Sequence, residues 1–144
     1  MPYNWALAQD PNRSLVRQFR ARHRCSANVP PVSDVEPEII ATALMRLVER
    51  LRTASEARLT RPHDQLAGQS LVEATYELSV WCVEQCQQVT ATELPELPRV
   101  GPFAAGDQIS VVGRDLVMLM TGADVPTSVR EEFLQRVDAI RSVS

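Results

Sequence analysis

The chain has no lysine, few aromatic residues and few cysteines. All fifteen of its basic residues are arginine, and aromatic side chains make up 5% of its 144 residues. With so few aromatic rings, a core has to be built mainly from leucine, valine, isoleucine and alanine. Three cysteines are too few, and odd in number, for a disulfide framework, so we expect reduced thiols.

Long apolar runs and signal-like segments are also lacking. No apolar stretch approaches the roughly 18–20 residues that a membrane-spanning helix needs. The first ten residues do not contain the charged region and following apolar region of a secretory signal. We therefore predict a cytoplasmic protein without a membrane segment.

Charge is distributed unevenly, although the net charge is only −3. Residues 1–30 contain five arginines and one aspartate, giving +4, and the remainder contains ten arginines and seventeen acidic residues, giving −7. The pair Pro30-Pro31 favours an extended spacer between these parts. We predict an N-terminal arm, basic helix and Pro-rich spacer over residues 1–32, and a helical bundle domain over residues 33–144.

The stretch from Gln69 to Val89 is predicted to be the central helix. It contains neither proline nor glycine, and its apolar residues cover more than half of the helix circumference, which is typical of a helix enclosed by others. Apolar residues every three or four positions predict three more long helices. These run from about Ser33 to Leu59, from Gln108 to Thr121, and from Ser128 onward. The predicted fold is all-α, an antiparallel bundle of four main helices with an additional short basic N-terminal helix.

Capping residues define the predicted helix starts. Ser33 and Glu36 have the spacing of a capping box, as do Ser128 and Glu131. Asp107 is expected to cap the third of the long helices after the spacer.

That same helix carries a glycine in its apolar stripe. Gly113 costs roughly 1 kcal/mol of helix propensity, so a close helix–helix contact is expected there. Val111 and Met118 lie on its other side, which predicts that the helix is covered twice. Before it, residues 90–106 contain three prolines and two glycines, so we expect an ordered strap across one end of the bundle.

Groups with possible chemistry do not form a complete catalytic set. Cys82 and Cys86 lie on the apolar side of the central helix, and a metal site would need further ligands, so we predict core positions. Glu73, Glu77 and Glu84 fall within about 40° around the helix axis and predict a solvated stripe. We predict a non-enzymatic protein without metal or cofactor, and leave open a small molecule inside the bundle.

Two apolar residues interrupt the glutamate stripe. Val80 projects into it and Trp81 lies at its edge, and exposed tryptophan is enriched at interfaces. Trp5 belongs to an alternating apolar arm at the N terminus. Unless the arm or the strap covers Trp81, these three residues form a partner interface, and we predict a self-associating interaction or scaffolding module, a homodimer.

An arginine stripe on the predicted N-terminal helix supports a second hypothesis. Arg13, Arg17, Arg20 and Arg24 have spacings of four, three and four, which places them on one helix face. Four guanidinium groups on one face suit phosphate contacts. The alternative function is thus a small nucleic-acid-binding or regulatory protein. Solvent, the acidic bundle or an acidic protein partner are the competing environments for this stripe.

Overall fold

The computed structural model describes residues 35–122 and 124–144. Within this part, 76% of the residues are helical and none belongs to a strand. The prediction of an all-α protein is therefore confirmed. The predicted arm, basic helix and spacer over residues 1–32, and the predicted boundary at residue 33, lie outside the described residues.

Four long helices and one short helix make up the described part. They are α1 (Pro37–Thr53), α2 (Glu56–Thr60), α3 (Leu71–Thr90), α4 (Ala105–Gly122) and α5 (Thr127–Val143), with single 3-10 turns at Asp64–Leu66 and Pro102–Ala104. Helix α4 packs against both α1 and α3, and α5 also packs against both of them. The hydrophobic core lies between these four helices.

Helix α3 begins at a complete capping box. The Ser70 hydroxyl accepts a hydrogen bond from the Glu73 amide at 3.2 Å, and the Glu73 carboxylate accepts one from the Ser70 amide at 2.9 Å. These bonds, with the backbone bond from Ser70 the largest cause, lower the pKa of Glu73. The predicted start at Gln69 is two residues early, because Ser70 is the N-cap and has an extended backbone.

The other predicted helix starts were less accurate. Helix α1 begins at Pro37 after Glu36, without a side-chain cap, so the predicted capping box was wrong. It ends at Thr53 rather than near residue 59, because Ser55 caps the separate helix α2. Helix α5 likewise starts without a side-chain cap bond from its N-cap, Pro126, and not at Ser128.

Helix α4 starts earlier than its predicted cap. It begins at Ala105, directly after a 3-10 turn, so Asp107 lies inside the first turn instead of before it. Its carboxylate accepts a hydrogen bond from Arg52 Nε at 2.8 Å. The predicted cap is therefore an inter-helix partner, and its position near the positive end of the helix dipole remains favourable.

The central position of α3 agrees with its composition. Leu71, Leu78, Cys82 and Cys86 are buried, as predicted. Val89 is only partly buried against the same core. On the opposite side, the side chains of the predicted solvated stripe are exposed, namely those of Glu73, Glu77 and Glu84.

Helices α1 and α4 approach closely at Gly113, as its place in the apolar stripe predicted. A Cβ atom added there would lie 2.7 Å from Leu44 Cδ2, and one added at Gly106 would lie 3.4 Å from Leu51 Cβ. Leu44 therefore occupies the space that a side chain on α4 would need. The expectation that the other side of α4 is covered was wrong, because Met118 is 47% exposed.

The strap between α3 and α4 is tied to both helices. The Tyr76 hydroxyl donates to the Leu97 carbonyl at 3.0 Å, and Gln108 Nε2 donates to the Pro98 carbonyl at 2.7 Å. Leu97 is buried, whereas Phe103, another apolar residue of this stretch, is 65% exposed.

Candidate protein-binding groove

The predicted interface residue Trp81 is buried. Its side chain is 8% exposed, and its ring lies 5.8 Å from that of Phe133, centroid to centroid. The Arg136 guanidinium lies 5.1 Å from the Trp81 ring centroid. The prediction that Trp81 is exposed was therefore wrong. The helical periodicity of α3 predicts that this edge faces water, but α5 packs against it.

The other predicted interface and binding residues do not supply a surface in the described part. Val80 is partly buried against the core. The remaining predicted site residues lie outside the described residues, namely Trp5, Arg13, Arg17, Arg20 and Arg24.

An apolar groove runs between α1 and α4 on the outer side of their contact. It has a volume of about 520 Å³. Met45 and Met118 stand at its two sides and are 61% and 47% exposed. The residues lining it are Ala41, Leu44, Met45, Val48, Glu49, Arg52, Thr53, Ser110, Arg114, Val117 and Met118.

The groove follows from the spacing of residues on α1. Ala41, Met45, Val48 and Arg52 recur at intervals of four, three and four, which places them on one helix face. This stripe lies beside the core stripe, so α1 carries more apolar surface than its neighbours bury. The sequence held this signal, because Met45 fits neither the core stripe nor the polar face.

Charged side chains border the groove. Glu49 on α1 and Arg114 on α4 are exposed lining residues, and no ion pair joins either side chain to another described residue. The Arg52–Asp107 pair links α1 to α4 beside the groove. Both of its members are well exposed, so it contributes at most about 1 kcal/mol to stability.

The buried thiols of α3 are protected from reaction. Burial, followed by the charge of Asp115, raises the pKa of the Cys86 thiol to about 12. Burial, followed by the nearby Cys86, raises the pKa of Cys82 as well. Because the thiolate is the reactive species, both cysteines behave as small apolar core residues.

The described residues contain neither a cluster of metal-binding side chains nor a helix suited to crossing a membrane. Over residues 35–122 and 124–144, no group of three or more His, Cys, Asp or Glu side chains is placed to hold a metal ion. None of the described helices combines the length and the apolar character needed to cross a membrane.

Comparison of the chain with protein-family models, with curated proteins and with solved structures found no match.

Proposed function

We propose that this protein is a non-enzymatic protein-interaction module that binds an amphipathic helix of a partner protein in the α1–α4 groove. The observation that carries the proposal is the pair of exposed methionines, Met45 and Met118, on either side of an apolar floor. Methionine is unbranched and adapts to different apolar surfaces, so it is common where helices are bound. Helix-in-groove recognition uses such surfaces.

The dimensions of the groove suit about three helical turns. Its lining residues on α1 extend from Ala41 to Thr53, which is about 18 Å along the helix axis. A bound helix would place apolar side chains at i, i+3 or i+4, and i+7 against the floor formed by Leu44, Val48 and Val117. The four long helices, which we take to form an antiparallel bundle, would hold both walls of the groove in place.

The border of the groove defines the chemistry of the partner. An acidic side chain on one flank of the bound helix would meet Arg114, and a basic one on the other flank would meet Glu49. An apolar floor offers little to a phosphate backbone, so this face favours a protein over a nucleic acid. A second copy of the chain is one candidate partner, which moves the expected self-association from Trp81 to the groove.

Methyl NMR of the full chain tests the proposal. The probe is a synthetic amphipathic helix of about 16 residues with leucine every three or four positions, titrated into protein labelled at its methionine methyl groups. We expect the signals of Met45 and Met118 to shift on titration, while buried Met120, which is 3% exposed, stays in place. The titration is repeated with Leu15→Glu/Phe19→Glu, which excludes competition by the chain's own N-terminal apolar residues.

A matched pair of variants locates the binding site. Met45→Glu should weaken binding at least about tenfold, because burying a methionine contributes roughly 1.5–3 kcal/mol and a buried charge costs more. Ile39→Glu changes an equally apolar residue of α1 that is 53% exposed but does not line the groove, and it should bind normally. Equal binding by Met45→Glu and the wild type would refute the proposal.

A further inference from the structure

We propose that residues 10–23 of the same chain are an occupant of the α1–α4 groove and compete there with a partner. This inference rests on the proposed function, since it names what regulates the same groove. It commits to one occupant, the basic segment that precedes α1, bound within its own molecule.

The sequence of this segment fits the groove. As a helix, residues 10–23 would bring Leu15, Val16 and Phe19 onto one face. A helix of these fourteen residues is about 21 Å long, close to the roughly 18 Å of groove along α1. Its apolar face would cover Met45 and Met118, and Arg13, Arg17 and Arg20 would remain on the side that faces water.

The connection to α1 is short enough to favour binding within one molecule. Residues 24–36, thirteen in number, lead from the segment to α1, and they span at most about 45 Å when extended. A segment antiparallel to α1 would end near Ala41, which lies one turn into α1, about 6 Å from its start at Pro37. A linker of this length gives a local concentration in the millimolar range, which a second molecule does not reach at ordinary concentrations.

Charge supports the same arrangement. Residues 1–30 carry +4, whereas residues 35–144 contain ten arginines and sixteen acidic residues, a net charge of −6. Glu49 lines the groove and Glu38 lies on the exposed side of α1, both without an ion pair to another described residue. The opposite charges attract the segment toward the bundle, and added salt should weaken this attraction.

The test compares two double variants of the full chain with equal charge. Leu15→Glu/Phe19→Glu disrupts the apolar face of the segment, and Ser14→Glu/Ala21→Glu places the same two charges on its opposite side. In methionine methyl spectra without peptide, we expect the first variant to move the Met45 and Met118 signals and the second to leave them in place. An unmoved Met120 signal reports that the core is intact.

Peptide affinity and molecular mass separate the possible results. If the segment occupies the groove in about nine-tenths of the molecules, Leu15→Glu/Phe19→Glu binds the amphipathic probe about tenfold more tightly than the wild type. Sedimentation should show that the wild type is a monomer. Docking within one molecule would be overturned if the wild type were a dimer that Leu15→Glu/Phe19→Glu dissociates and Ser14→Glu/Ala21→Glu does not. Unmoved methionine signals with equal peptide affinity would overturn the inference and leave the proposed function standing. Moved signals without peptide binding to either protein would support docking and remove the proposed function.

Discussion

Replacing Asp115 by asparagine should stabilise the protein at neutral pH and remove part of its pH dependence. Burial raises the pKa of this α4 carboxyl from 3.8 to about 6 in the folded protein. Between these two values, the folded state keeps a proton that the unfolded chain has released. Because the folded state then binds more protons, its stability falls as the pH rises from about 4 to about 6.

The structure sets an upper bound on this effect. The difference between pKa values of 3.8 and about 6 corresponds to about 3 kcal/mol, and water reaching the partly buried side chain reduces it. Asp115→Asn keeps the shape of the side chain but does not ionise. The variant should therefore gain up to about 3 kcal/mol over the wild type between pH 4 and pH 7, with most of the change complete near pH 6.5.

Urea unfolding followed by far-UV circular dichroism, at half-unit steps from pH 3.5 to pH 8, measures the difference directly. The effects of all other carboxyl groups are common to both proteins, so they cancel in the difference between the two unfolding free energies. Near pH 3.5 the Asp115 carboxyl is mostly protonated in both the folded and the unfolded state. The difference in stability that remains there comes mainly from replacing the carboxyl by an amide, and it serves as the internal control. A difference in unfolding free energy that does not change with pH would refute the reasoning.

Two further substitutions test the packing around α4. Gly113→Ala should lower the free energy of unfolding by up to about 2 kcal/mol. The new Cβ would lie 2.7 Å from Leu44 Cδ2, and overpacking of about 1–3 kcal/mol outweighs the gain of about 1 kcal/mol in helix propensity. In a Leu44→Ala background, where the clash is removed, Gly113→Ala should become stabilising. A double-mutant cycle measured by thermal unfolding should therefore show coupling between the two positions, and its absence would contradict this explanation. Arg130 is buried, and its Nη2 donates to the Met120 carbonyl at 2.9 Å and its Nε to the Val125 carbonyl at 3.4 Å. Arg130→Met removes both donors, so it should lower the free energy of unfolding in urea by about 2–4 kcal/mol. Arg130→Lys should recover only part of that loss, because a single ammonium group cannot reproduce the planar fork, and full recovery would argue against this role.

The sequence was sufficient where one helix determines the pattern by itself. The apolar side of α3 and its exposed glutamates were predicted from angular position alone, and both cysteines were placed correctly in the core. Gly113 was informative for a related reason: a glycine inside an apolar stripe is unfavourable unless another helix needs the space. These predictions depend on local geometry, which the sequence specifies directly.

The sequence was not sufficient where the identity of a neighbouring helix decides exposure. Trp81 lies at the boundary between the apolar and acidic sides of α3, so its burial depends on whether another element reaches that edge. Phe133 and Arg136 of α5 do reach it. Nothing in the spacing of α3 indicates where α5 packs, so the sequence alone could not show that Trp81 is buried.

The close contact at Gly113 also explains why a groove lies between α1 and α4. Because α4 has no side chain at this position, Leu44 packs directly against the backbone of α4, and α1 and α4 lie close together. Met45, the next residue of α1, is then turned away from this contact, and Met118 stands on the outer side of α4. Both methionines remain exposed although the core directly beneath them is tightly packed. If the groove binds a helix as proposed, its tightly packed floor and adaptable methionine sides favour a partner helix that supplies its own apolar face.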